Sequence, residues 1–241
     1  MVVFALMSSA SAYYGGNTIK QSITMTGTGG DISQSASNAA VVVGNNNNVD
    51  QSISQTASGN HITQSAANAA VVFGNNNDVN QGINQRATGN TIGQASANAV
   101  AVVGDFNTVG QSINQRAIGQ EIYQSGWNTG TIIGNGNTLD QSVNAFASTY
   151  TPPAVPPADP SQTMSNTAYI MGVYNQVNQG ITGIVMTGGS NAPVYQSANN
   201  LIETRDMYRN SYEQGIMINV RAGPLAYVEQ SGSNEIRLGP W

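Results

Sequence analysis

Residues 29–148 are four consecutive blocks of 30 residues with no insertion between them. A period of that length, kept without slippage, restricts the chain to architectures that stack one supersecondary unit on the next. The first block reads GGDISQSASNAAVVVGNNNNVDQSISQTAS and the second GNHITQSAANAAVVFGNNNDVNQGINQRAT. Residues 17–28 match the second half of a block, so the array starts in mid-unit.

Each block contains two segments of alternating character. Ile32, Gln34, Ala36, Asn38, Ala40 and Val42 share one face of the first; Val49, Gln51, Ile53, Gln55 and Ala57 share one face of the second. A period of two argues for strands, because successive side chains of a strand point to opposite faces. Gly44-Asn45-Asn46-Asn47 and Ser58-Gly59-Asn60 separate the segments, and Gly and Asn tolerate the positive φ that tight turns demand. The expected fold is all-β: a β-solenoid, or stack of β-arches, with each unit about 4.8 Å above the last.

Stacking in register turns equivalent residues into columns. Gln34, Gln64, Gln94 and Gln124 form one, Gln51, Gln81, Gln111 and Gln141 a second, and Asn38, Asn68, Asn98 and Asn128 a third. An isolated buried amide costs several kcal/mol. In a column, each amide donates to one neighbour and accepts from the other, so burial of these residues as cross-β ladders is expected. On the opposite face of the first segment, Val41 and Val43, Val71 and Phe73, Ala101 and Val103, and Ile133 line up as an apolar stripe on the outside of the solenoid. Monomers rarely expose such patches. Two covers are open: the C-terminal half of the same chain, or a neighbouring subunit.

Only 8% of residues are charged, against roughly 25% in ordinary domains, and the net charge is −5. Weak self-repulsion permits association. Lys and Arg together number seven and form no basic patch, which argues against nucleic-acid binding. No run approaches the roughly 20 apolar residues of a membrane-spanning helix. There is no cysteine, hence no disulfide or thiolate chemistry.

Four regions follow. Residues 1–12 read as the tail end of a signal peptide, because an apolar stretch precedes the small-x-small sequence Ala10-Ser11-Ala12. Residues 13–148 are the regular 30-residue-repeat solenoid. Residues 149–160, TYTPPAVPPADP, form a stiff proline-rich linker. Residues 161–241 are a degenerate continuation, in which Gln179, Gln196, Gln214 and Gln230 stand third in four motifs of the Val/Tyr-x-Gln-Gly/Ser type, as Gln51 does in Val49-Asp50-Gln51-Ser52. Neither end of the array shows a charged or proline-rich cap, and open ends favour stacking of one subunit on another.

Gln55-x-Ala57-x-x-Asn60-x-Ile62, Gln85-x-Ala87-x-x-Asn90-x-Ile92 and Gln115-x-Ala117-x-x-Gln120-x-Ile122, followed by Gln64, Gln94 and Gln124, resemble the curlin repeat. The family glycine is Ala here, the later glutamine comes two positions early, and the 30-residue unit is longer. Curlin-like proteins are secreted subunits of functional amyloid fibres; the resemblance implies an extracellular surface fibre built from identical subunits, and a more distant functional amyloid of the kind that forms a surface sheath is equally compatible.

Nothing points to catalysis or to a cofactor or metal. His61 is the sole histidine and sits in a turn. Asp50 and Asp140 share a repeat position, but Asn80 and Gly110 lie between them. Arg86 and Arg116 stack on the polar face as a solvated pair. The expected function is a self-assembling structural subunit; the alternative is a cell-surface solenoid adhesin that binds a glycan or protein.

Overall fold

The structure, a computed structural model, describes residues 2–13, 18–44, 48–149, 160–187, 193–205, 209–221 and 227–238. It is an all-β solenoid of about 7 turns, without helix among the described residues. Fifteen strands follow one another: β1 (Val2–Tyr13), β2 (Thr18–Thr28), β3 (Asp31–Val43), β4 (Asn48–Ser58), β5 (His61–Phe73), β6 (Asp78–Thr88), β7 (Thr91–Val103) and β8 (Thr108–Gly119) come first. β9 (Glu121–Ile133), β10 (Thr138–Thr149), β11 (Ser161–Met171), β12 (Gln176–Thr187), β13 (Val194–Thr204), β14 (Ser211–Arg221) and β15 (Val228–Leu238) complete the chain. Odd-numbered strands form one eight-stranded sheet and even-numbered strands a second, seven-stranded sheet. Every pairing is parallel and in repeat register, so Gln34 lies beside Gln64 and Gln51 beside Gln81.

The two sheets face each other across a core of five zones. Ile32, Ile62, Ile92 and Ile122 pack with Ala57, Ala87 and Ala117 at one end of the strands. Ile53, Ile83 and Ile113 pack with Ala36 and Ala66 at the middle. Val42, Val72 and Val102 pack with Val49, Val79 and Val109 at the other end. The amide columns fill the two zones between these apolar clusters.

Glycines set the corners. Gly104 has φ 146°, and a Cβ there would collide with the backbone carbonyl of Gly74 one rung below. Corner backbones stack so closely that no side chain fits between them.

The regular and degenerate halves are one stack. β11 pairs with β9 and β12 with β10, so the sheets run on past the proline-rich stretch. The linker is therefore shorter than 149–160: Thr149 ends β10 and Pro160 is buried at the foot of β11. Residues 150–159 lie outside the described residues. Pro160 has no N–H to give the sheet, but its carbonyl accepts the Tyr195 N–H at 3.1 Å. Residues 2–12, expected as a leader, form most of β1, which lies in register on β3.

Candidate functional site

In a molecule with this topology the surfaces available for function are the ladders, the outer sheet faces and the two stack ends. The ladders form because the repeat places one amide above another at every turn. All twelve residues expected to form them are buried, with exposures of at most 3%. Gln64 donates to Gln34 at 2.8 Å, Gln94 to Gln64 at 2.8 Å and Gln124 to Gln94 at 2.9 Å. Each of these amides also donates its second N–H across the core to a carbonyl of the facing sheet, as Gln94 does to Arg116 at 3.3 Å. One amide thus joins two rungs and two sheets. That explains how a core with so many polar groups is stable: both N–H bonds and the oxygen are used. The Asn column works likewise, with Asn68 donating to Asn98 at 3.0 Å and to the Gly82 carbonyl at 3.1 Å.

The ladders extend beyond the expected twelve. Gln162 and Gln196 continue the Gln34 column, Gln179 and Gln214 the Gln51 column, and Asn166 and Asn200 the Asn38 column. Gln162 follows Pro160 instead of the usual Ile or Val two residues earlier, which hid it from sequence reading. Gln55, Gln85 and Gln115 make a fourth ladder that stops where Ala145 replaces the next glutamine, leaving the Gln115 oxygen without a partner. A fifth runs along one corner, where Asn107 accepts from both nitrogens of Asn77 and donates both of its own to Asn137. Its 30-residue spacing was visible, but these residues read as turn formers.

The expected apolar stripe is present and uncovered. Val41, Phe73, Val103 and Ile133 are 38%, 45%, 39% and 41% exposed, with Val43, Val71 and Ala101 half-buried beside them. β11–β15 continue the stack instead of folding across the stripe, so the C-terminal half is not its cover. The stripe continues through Tyr13 and Met171. The surrounding face carries no charge on β1, on β11, or on β3, β5, β7 and β9 beyond their first residue. On the opposite sheet Asp50, Asp140 and Glu213 border a shallow groove floored by Gly82, Gly180 and Gly215.

The polar candidates behave simply. His61 is exposed and its Nδ1 lies 2.9 Å from Asp31. Arg86 and Arg116 are both exposed, and Arg116 also stands over the Phe146 ring at 4.9 Å, a cation–π contact. Among the described residues, no group of three His, Cys, Asp or Glu gathers as a metal site, and no helix is long and apolar enough to cross a membrane. No family model, curated protein or solved structure matches the chain.

Proposed function

We propose that this chain is a structural subunit that polymerises by stacking on copies of itself, forming an extracellular amyloid-like fibre or cell-surface sheath. The observation that carries this reading is the pair of open stack ends. β14 and β15 each have a sheet neighbour on one side only, and the side chains of β15 are exposed from Val228 to Arg237. An unpaired parallel edge is a template for another strand. Low charge leaves little repulsion against such growth, and the apolar stripe on the outer face gives stacked columns a surface for side-by-side packing.

The test is electron microscopy of the purified protein with fibre diffraction of any polymer. A reflection near 4.8 Å along the axis is expected. Dispersed monomers over a wide concentration range overturn the reading. Exposed Tyr123, Trp127 and Tyr195 favour the second reading, an adhesin that stacks these rings on a glycan. A soluble monomer that binds a glycan array would replace the first reading with the second.

A further inference from the structure

The ladders have polarity, and their two ends are complementary. In the odd-numbered sheet each glutamine donates toward the N-terminal end, finishing with Gln64 to Gln34 there and Gln230 to Gln196 at the other end, both at 2.8 Å. Each asparagine donates the opposite way, from Asn38 to Asn68 at 3.1 Å and finally from Asn200 to Asn234 at 2.9 Å. The N-terminal end therefore offers a spare Gln34 N–H and the Asn38 oxygen, which is buried without a partner. The C-terminal end offers the Gln230 oxygen and the Asn234 N–H groups. Each is what the other end lacks.

β1 sits on the N-terminal end but does not complete it. It sets Phe4 against Gln34 and Ser8 against Asn38, so both ladders break at its first contact. It also makes the strand count unequal, eight in one sheet and seven in the other. A second copy stacked on β1 meets a sheet that is one strand short beside it. Without β1, each sheet has seven strands and both ends are flush. β15 of a second copy laid on β3 then sets Gln230 against Gln34 and Asn234 against Asn38, while β14 laid on β2 sets Gln214 against Gln21. Apolar partners follow in the same register, Val228 on Ile32 and Ile236 on Ala40.

We infer that β1 is a removable cover on the polymerisation edge, and that β15 of a second copy takes its place. This rests on the polymer reading above. The sequence Ala10-Ser11-Ala12 at the end of the strand supplies the means of release. A peptidase hydrolyses the Ala12–Tyr13 bond: water adds across the peptide, Ala12 takes the carboxylate and Tyr13 the amine. The released strand exposes β3, and the subunit becomes seven complete turns with an axial repeat of about 34 Å.

The experiment uses the full chain carrying Ser9→Cys and Ala39→Cys, with a site-specific protease sequence inserted between Gly15 and Gly16. Ser9 and Ala39 are exposed, in-register neighbours on β1 and β3, and no native cysteine competes. Adjacent strands lie at about the spacing a disulfide accepts. Folded protein is cut or left uncut, and oxidised or reduced, and elongation is followed by light scattering and microscopy. The cut, reduced protein is expected to elongate about tenfold faster or more than the uncut or the cut, oxidised protein. Asn234→Asp keeps the oxygen that accepts from Asn200 and removes the N–H groups offered to the next subunit, so it is expected to slow elongation of the cut protein while leaving its unfolding midpoint in place. Equal elongation of the cut protein with and without the disulfide overturns the cover and leaves the polymer reading standing. No polymer in any arm overturns both.

Discussion

At the scale of single residues, the protein replaces part of an ordinary apolar core by amides that are stable only in company. Gln94 is the clearest case. Its nitrogen bonds the Gln64 oxygen and the Arg116 carbonyl, and its oxygen receives Gln124. Gln94→Leu keeps volume and burial but orphans groups on both neighbouring rungs, so it is expected to destabilise by about 1–3 kcal/mol per stranded group. Chemical denaturation reads this as a lowered midpoint; an unchanged midpoint contradicts the ladder account. Gly104→Ala tests the corner. Its backbone lies at φ 146° directly above the Gly74 carbonyl, and the added methyl has nowhere to go. A loss of about 3 kcal/mol or more is expected, from strain and overpacking together, in the same measurement.

At the scale of strands, the interior ones are held on both sides and the terminal ones on one side. β15 supplements its single neighbour with charge: Arg237 donates to Glu235 at 2.7 Å and to Glu203 on β13 at 3.3 Å. The Arg237 guanidinium holds the Glu235 carboxyl below the usual carboxylate range. A carboxyl depressed on folding stabilises above its unfolded value and loses that contribution as pH falls through the folded one. Both side chains are exposed, so solvent screens the effect and it stays local. Amide-exchange protection in β15, corrected for intrinsic rates, is expected to fall as pH drops below about 4, with β5–β9 unaffected. Arg237→Leu should abolish that pH dependence; its persistence in the variant counts against the pair.

At the scale of the whole molecule, two directions of association are separable in the proposed polymer. Growth along the axis would use strand edges and ladder ends, whereas packing side by side would use the outer face with its Val43–Phe73–Val103–Ile133 stripe. Phe73 is 45% exposed, so Phe73→Asp removes little from the folded subunit. It places a charge in the middle of the Val43–Phe73–Val103–Ile133 row. The variant is expected to elongate at the parental rate but to form thin, unbundled filaments in electron micrographs. Bundles of parental width would remove the stripe from the assembly account.

The alternation within Gly29–Ser148 was enough to assign strands, faces, corners and ladder columns, because an unbroken 30-residue period lets each position be judged four times. A lone Gln51 is ambiguous; Gln51, Gln81, Gln111 and Gln141 at one position are not. Legibility fell where the period did. Gln162 was missed after Pro160, and the corner asparagines were legible as spacing but not as hydrogen-bonding partners. The unity of the two halves was a matter for the tertiary structure, because it depends on whether β11 returns to β9, a contact no local pattern encodes. So were the bare stripe, the Arg116–Phe146 contact and the place of β1. The sequence by itself determined which residues repeat, and hence the inward face of each strand, since side-chain alternation is a local property of the backbone. Only the tertiary structure decided what the first and last strands leave unpaired, because hydrogen-bond direction and strand count belong to the finished stack.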